Sequence, residues 1–342
     1  MYTPTSFYQS GEAAPTVAAP LIQDVNLPAD VALGVRLLNN AWLTGGIALC
    51  LQVIRSSDGS SDGVGFDADG NLDEAALLAW VGTGVNDHGS IAKWWDQSGQ
   101  DNHFEATTGF DQMPAIVVSG SILRLSGSDD GSGNERPAVR FNGLTNGNGQ
   151  FLDSPSLTGI YDPEISLVFD ILSYNSNGMV MSELQNGYHI GSYTPGGYPQ
   201  LESEGFGMIG SSNQKLNRFY TSSNTPGTPM AMSLYYGRAA GENAARAYIL
   251  DKNSTVTSGF SGSLISPIPG TGPEFQFTIE ANSYIPATHD NFTIGRFPAN
   301  PLFQNVDLVE VVRWSGSSPF DSASRQKCVE NSANYFGIPV RT

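Results

Sequence analysis

Turn clusters, not long periodic runs, set the rhythm of this chain. Ser56-Ser57-Asp58-Gly59-Ser60-Ser61-Asp62-Gly63 and Ser126-Gly127-Ser128-Asp129-Asp130-Gly131 consist of residues that tolerate left-handed backbone or hydrogen-bond their own main chain. Short apolar or alternating runs lie between such clusters: Ile47–Ile54, Ile91–Trp95, Pro137–Phe141, Ile165–Leu172 and Met179–Leu184. Met230–Tyr236, Ala245–Leu250, Phe275–Ile279, Phe292–Ile294 and Val306–Val312 continue the series. In Phe275-Gln276-Phe277-Thr278-Ile279 strict alternation puts Phe275, Phe277 and Ile279 on one face of an extended strand. About ten strands of this length suit an all-β fold, a two-sheet jelly-roll sandwich.

Two segments read as helix. Asn71-Leu72-Asp73-Glu74 offers an N-cap with Glu at N3, and the helix over residues 73–81 stops at Gly82. Asp321 can cap a C-terminal helix running to about Phe336, with Cys328, Val329, Ala333 and Phe336 as its apolar stripe and Gly337 and Pro339 as its end. Residues 1–27 are rich in Ala, Pro and Thr and poor in side chains worth burying, so they read as an extended N-terminal arm. With no repeat, heptad run or second linker, residues 28–342 read as one sandwich domain.

Composition narrows function. Hydrophobic residues make up 39% of the 342 positions, too many for a disordered chain. A formal charge of −17 excludes nucleic acid as a partner, because phosphates need Lys and Arg to neutralise them, and disfavours anionic membrane surfaces. The start, Met1-Tyr2-Thr3-Pro4-Thr5-Ser6-Phe7, lacks the basic and apolar regions of a signal peptide, so synthesis and retention in a cytoplasm are expected. Two cysteines cannot make a disulfide framework, and Cys50 sits in an apolar run as a buried thiol would.

Chemistry-bearing motifs are few. Asp67-Ala68-Asp69-Gly70-Asn71 spaces oxygen ligands as a calcium loop does, but Leu72 and Leu78 stand where such a loop needs Gly and Glu, so a turn is the better account. His88, His103, His189 and His289 lack metal or triad spacing, and the glycines form no phosphate loop. No metal and no cofactor are expected. Carbohydrate chemistry stays open: Glu202 and Glu204 lie two apart beside Tyr193, Tyr198 and Phe206, and glycoside hydrolysis needs paired carboxyl groups. Solvated turn carboxylates account for the same residues.

An ordered series then carries a resemblance. It runs through Gly34-Val35-Arg36-Leu37-Leu38-Asn39-Asn40-Ala41-Trp42, Ile54-Arg55-Ser56-Ser57-Asp58 and Gly65-Phe66-Asp67-Ala68-Asp69-Gly70-Asn71-Leu72-Asp73. Ala76-Leu77-Leu78-Ala79-Trp80-Val81-Gly82, Trp94-Trp95-Asp96-Gln97-Ser98-Gly99-Gln100-Asp101-Asn102-His103 and Arg136-Pro137-Ala138-Val139-Arg140-Phe141-Asn142-Gly143 follow. The series resembles the catalytic domain of fungal-type α-L-arabinofuranosidase B, and still more the arabinofuranosidase-like, concanavalin or laminin-G-like modules of bacteriophage virion proteins. The resemblance implies a concanavalin-like sandwich. It also implies that Glu202, in Leu201-Glu202-Ser203, matches the hydrolase nucleophile, with Gln200 where the enzyme has an acidic neighbour. Ala299, in Arg296-Phe297-Pro298-Ala299-Asn300, falls where the enzyme carries its acid/base aspartate, and Gly178-Met179-Val180-Met181 lacks its adjacent cysteines.

The resulting expectation is a non-enzymatic structural protein of a phage particle, in capsid decoration, tail or fibre, assembled in the host cytoplasm. No residue is assigned a catalytic role. Its partners are other virion proteins, engaged through the N-terminal arm, with many copies per particle. Weak binding of host-surface glycan through Tyr198, Gln200 and Glu202 is a secondary expectation. The rival is an active arabinofuranosidase or capsule depolymerase, whose second carboxylate would come from Asp170, Asp290 or Asp307.

Overall fold

The computed structural model describes residues 20–44, 48–107, 109–144, 149–154, 157, 164–173, 179–183, 189–192, 206–209, 219–221, 229–237, 244–251, 256–258, 264–265, 274–278, 292–297, 302–303, 305–314 and 321–338. Its first half contains α1 (Leu21–Val25), β1 (Val31–Gly34), α2 (Asn40–Thr44), β2 (Leu49–Arg55), β3 (Ser61–Gly65), α3 (Glu74–Val81) and β4 (Gly89–Trp94). There follow β5 (Phe104–Glu105), β6 (Ala115–Val118), β7 (Val139–Asn142), β8 (Leu152–Asp153), β9 (Glu164–Ser173), β10 (Met179–Glu183) and β11 (His189–Ser192). The rest includes β12 (Phe206–Ile209), β13 (Met230–Gly237), β14 (Ala244–Asp251), β15 (Glu274–Thr278), β16 (Phe292–Ile294), β17 (Asn305–Trp314) and α4 (Ser322–Tyr335), among shorter strands.

The protein is an all-β sandwich with few helices, as expected. One antiparallel ladder runs β15–β14–β13–β9–β17. The free side of β17 is shared by β1 at its Glu310–Arg313 end and by β7 at its Asn305–Leu308 end. A second antiparallel ladder runs β3–β2–β4–β5–β8–β16–β10–β11–β12. β6 bonds to both β4 and β7 and so joins the two.

Each ladder turns a row of large side chains inward. Trp94, Phe104 and Phe292 from the second ladder and Phe141 and Phe169 from the first are at most 1% exposed. Each contributes on the order of 1.5–3 kcal/mol by leaving water. β9 is buried at every residue from Glu164 to Ile171, because α4 packs across β9, β13 and β14 and covers a second face. That double covering buries Ser166 and Asp170 along with the apolar residues of the strand.

Both longer helices occur where the sequence places them, with one change of cap. Asp321 accepts from Ser324 N at 2.7 Å and starts α4, and Cys328, Val329, Ala333 and Phe336 are buried along it. At α3 the cap is Asp73, which accepts from Ala76 N at 2.9 Å, and not Asn71. Asn71 Oδ1 instead accepts from Tyr335 Oη at 2.6 Å and Arg136 Nη1 at 2.9 Å, tying the turn to the end of α4.

Residues 21–25, expected to lie in an extended arm, form a short helix instead. Leu21, Ile22 and Val25 fall on one face of α1 and are buried with Ala32, Leu38, Val312, Trp314 and Cys328. Ile22 N donates to Leu38 O at 3.1 Å and Trp314 Nε1 to Leu27 O at 3.2 Å. Three apolar residues in five suffice to fold this stretch once α4 and β17 offer an apolar seat. Among the described residues no helix is long and apolar enough to cross a membrane.

Candidate functional site

β11 and β12 pair antiparallel with Ser192 opposite Phe206 and His189 opposite Ile209. The connection 193–205 therefore leaves and re-enters the second ladder at one end, and it carries Tyr198, Gln200, Glu202 and Glu204, all outside the described residues. β10 pairs with both β11 and β16, with Glu183 opposite Phe292 and Met181 opposite Ile294.

Next in that ladder stands Asp153, and its carboxylate is fully engaged. It accepts from Thr293 Oγ1 at 2.8 Å, Arg296 Nη2 at 3.0 Å and Thr107 Oγ1 at 3.2 Å. The Arg296 guanidinium also lies over the Phe151 ring, 3.4 Å from its centroid. Arg296 opens the segment in which the resemblance locates an acid/base group, so the charge entering that segment is positive and paired. Ala299 and Asn300 lie outside the described residues.

Of the candidate second carboxylates, Asp170 and Asp307 are cross-strand neighbours on β9 and β17, in the first ladder, whereas the Glu202 connection belongs to the second. Arg140 grips Asp307 with two hydrogen bonds, Nε to Oδ1 at 2.7 Å and Nη2 to Oδ2 at 2.6 Å. Burial raises the Asp307 pKa above its usual value, against the lowering effect of Arg140. Both aspartates are buried to within 1% of full coverage, which keeps them from meeting a substrate oxygen. Asp290 lies outside the described residues.

The Trp-Asp-Gln-Ser-Gly run is a clamp. Asp96 accepts from Ala32 N (2.7 Å), Ser98 N (2.9 Å), Ser98 Oγ (2.6 Å) and Asn102 N (3.0 Å). The Gln97 amide accepts from Leu38 N at 2.7 Å and donates to Arg36 O at 3.0 Å and Gly34 O at 3.3 Å. Asn102 Nδ2 donates to Asp30 O at 2.8 Å, and Ser98 Oγ lies 3.1 Å from the same oxygen. The loop thus satisfies the polar backbone along residues 30–39, including the edge of β1 away from β17, where open strand groups would otherwise be orphaned.

The other singled-out residues have structural partners too. Asp67 Oδ1 accepts from Asp69 N at 2.9 Å and Asn71 N at 2.8 Å, closing a turn. His88 Nδ1 accepts from Ser119 N at 3.3 Å, and His103 Nδ1 from Asp96 N at 3.0 Å. Cys50 is buried and its Sγ lies 3.1 Å from Gly34 O, with burial pushing the thiol pKa up. His189 is on β11, and His289 lies outside the described residues.

Sequence reasoning missed the buried ion pairs under α4. Arg325 holds Glu164 at 2.8 Å with two nitrogens, and Ser233 Oγ donates to the same carboxylate. Arg36 Nε meets Glu310 at 2.7 Å, and Ser332 Oγ also donates to Glu310. Charged residues inside apolar runs were the available signal, in Glu164 before Ile165 and Glu310 between Val309 and Val311.

No protein-family model matches the chain, and no curated protein matches it by sequence. Solved structures do. The chain is similar to a GH54 α-L-arabinofuranosidase soaked with a cyclic sulfate inhibitor, at a TM-score of 0.64 and 14% identity, over 92% of this chain and 64% of that one. It is also similar to an arabinofuranosidase complexed with arabinofuranosyl-α-1,2-xylobiose, at a TM-score of 0.60 and 14% identity, over 90% of this chain and 64% of that one. The chain therefore spans less than two thirds of the length of these enzymes, and at such identity the likeness is one of fold. What this chain shares with the arabinofuranosidases is the β-sandwich frame.

Proposed function

We propose that this chain is a non-hydrolytic structural sandwich of a phage particle, built on the arabinofuranosidase frame and present in many copies. One observation carries the reading: no carboxylate occurs in Arg296-Phe297-Pro298-Ala299-Asn300, and its first residue is an arginine paired with Asp153. General acid/base catalysis contributes roughly 10²–10⁴-fold to such a reaction, so a frame lacking the proton donor loses that factor. The buried Asp170 and Asp307 offer no replacement. The virion assignment, its assembly in the host cytoplasm and attachment through the residues before α1 rest on the resemblance to phage modules. The sandwich domain in this reading begins at α1. Tyr198, Gln200 and Glu202 then serve as a weak glycan contact.

The enzyme reading draws on the likeness to the arabinofuranosidase fold. Release of 4-nitrophenol from 4-nitrophenyl α-L-arabinofuranoside decides between the two. The expected result is no release above background by the full chain, and no difference between native protein and Glu202→Gln. Turnover abolished by Glu202→Gln overturns the proposal. Loss of glycan-array signal in Tyr198→Ala and Glu202→Ala supports the binding role, and unchanged signal refutes it.

A further inference from the structure

His103 sits at the end of the clamp loop in a way that ties the loop's closure to its protonation state. Its Nδ1 accepts from Asp96 N at 3.0 Å, so the closed loop needs that nitrogen unprotonated and the neutral ring carries its proton on Nε2. The ring is packed edge-on against Trp95, centroids 4.5 Å apart, and against Trp42 at 6.4 Å. Four ionisable groups surround it: Lys93, Asp96, Asp101 and Glu105. Lys93 lies over Trp95, 4.6 Å from the ring centroid, and is paired with Glu105 at 2.5 Å. Asp101 Oδ1 is 3.8 Å from Nε2, but that side chain is 88% exposed, so water screens its attraction for a charged imidazole. Asp96 is already saturated by four donors.

We propose that the Asp96–His103 loop is an acid-opened latch: neutral His103 keeps it closed on residues 30–39, and protonation of the imidazole releases them. Adding a proton to Nδ1 turns the acceptor of the Asp96 amide into a donor facing a donor, beside the Lys93 ammonium. Asp96 and Gln97 bond the Ala32 and Leu38 amides, so the displaced loop gives up β1 and its flank together. Burial first, and Lys93 next, hold the imidazole below its usual 6.5, which keeps the latch shut at neutral pH. The closed form binds the proton less well than the open form, so opening becomes more favourable as pH falls through 6.5.

Amide exchange on the full chain tests this, with protection factors measured between about pH 7 and about pH 5. Protection at Ala32 and Leu38 is expected to fall by up to about tenfold per pH unit, while that of Leu167 on β9 stays constant. His103→Asn keeps an acceptor and does not titrate, so its protection at Ala32 should be independent of pH. An equal fall in His103→Asn overturns the proposal. The native imidazole's ¹⁵N shifts give a readout free of any variant. Nε2–H is expected at neutral pH, and an Nδ1–H tautomer or a charged ring there overturns it.

Discussion

Arg325 and Glu164 form a two-pronged ion pair, 2.8 Å at each contact, with side-chain exposures of 0% and 2%. Arg325 comes from α4 and Glu164 from β9, so this pair ties the C-terminal helix to the first ladder. Removing one partner leaves an uncompensated buried charge, which costs about 3–5 kcal/mol. Arg325→Met should therefore lower the unfolding free energy by that amount, and the urea midpoint with it. The double variant Arg325→Met/Glu164→Leu should recover most of the loss, because both charges then leave together. Urea titration of the three proteins checks this; a double variant no more stable than the single one contradicts it.

Gln97 gives a second outcome. One side chain serves Leu38 N, Gly34 O and Arg36 O, all in a buried stretch. Each orphaned group costs about 1–3 kcal/mol. Gln97→Leu, which keeps the volume, should thus destabilise by at least ~2 kcal/mol, with the loss of amide protection centred on residues 34–38. Gln97→Glu should do no better, since a carboxylate brings acceptors to two carbonyls. Denaturation together with amide exchange reads both effects.

Asp307 supplies a pH signature. Its folded-state pKa is raised above 3.8 by burial, with Arg140 acting against the rise. A carboxyl that holds its proton more tightly when folded stabilises the fold at low pH. That stabilisation is lost as pH rises through 3.8 towards the folded value. Asp307→Asn removes the dependence. The difference in unfolding free energy, native minus variant, should therefore shrink as pH rises from about 3 to about 6, by ~1.4 kcal/mol for each unit of elevation, and the Tm difference should shrink with it. Melts across that range check it, and a widening difference reverses the sign.

Much of the frame is legible from neighbours in the chain. The caps Asp73 and Asp321 bond amides three residues on, at Ala76 and Ser324, so their chemistry is written within one turn of helix. Glu164 to Ile171 could be read as a strand, but not as one buried on both faces, since that depends on where α4 lands. The Trp-Asp-Gln-Ser-Gly run stands out as a motif, yet nothing local tells a clamp from a catalytic loop. Its bonds reach back to Asp30, Ala32, Gly34, Arg36 and Leu38. The Glu202 region was read from aromatic and acidic composition, and the described strands show only where its connection begins and ends.

By itself the sequence determined an all-β chain: strand-length apolar runs, turns of Gly, Ser and Asp, two capped helices and two buried thiols. These depend on contacts within a few residues, where spacing alone selects the conformation. Only the tertiary structure decided that Arg36 answers Glu310, that Arg325 answers Glu164, and that Arg140 is spent on Asp307. Those partners lie 274, 161 and 167 residues apart in the chain. Which charge meets which is set by strand order and register, and a one-residue slip would turn every such side chain to the opposite face.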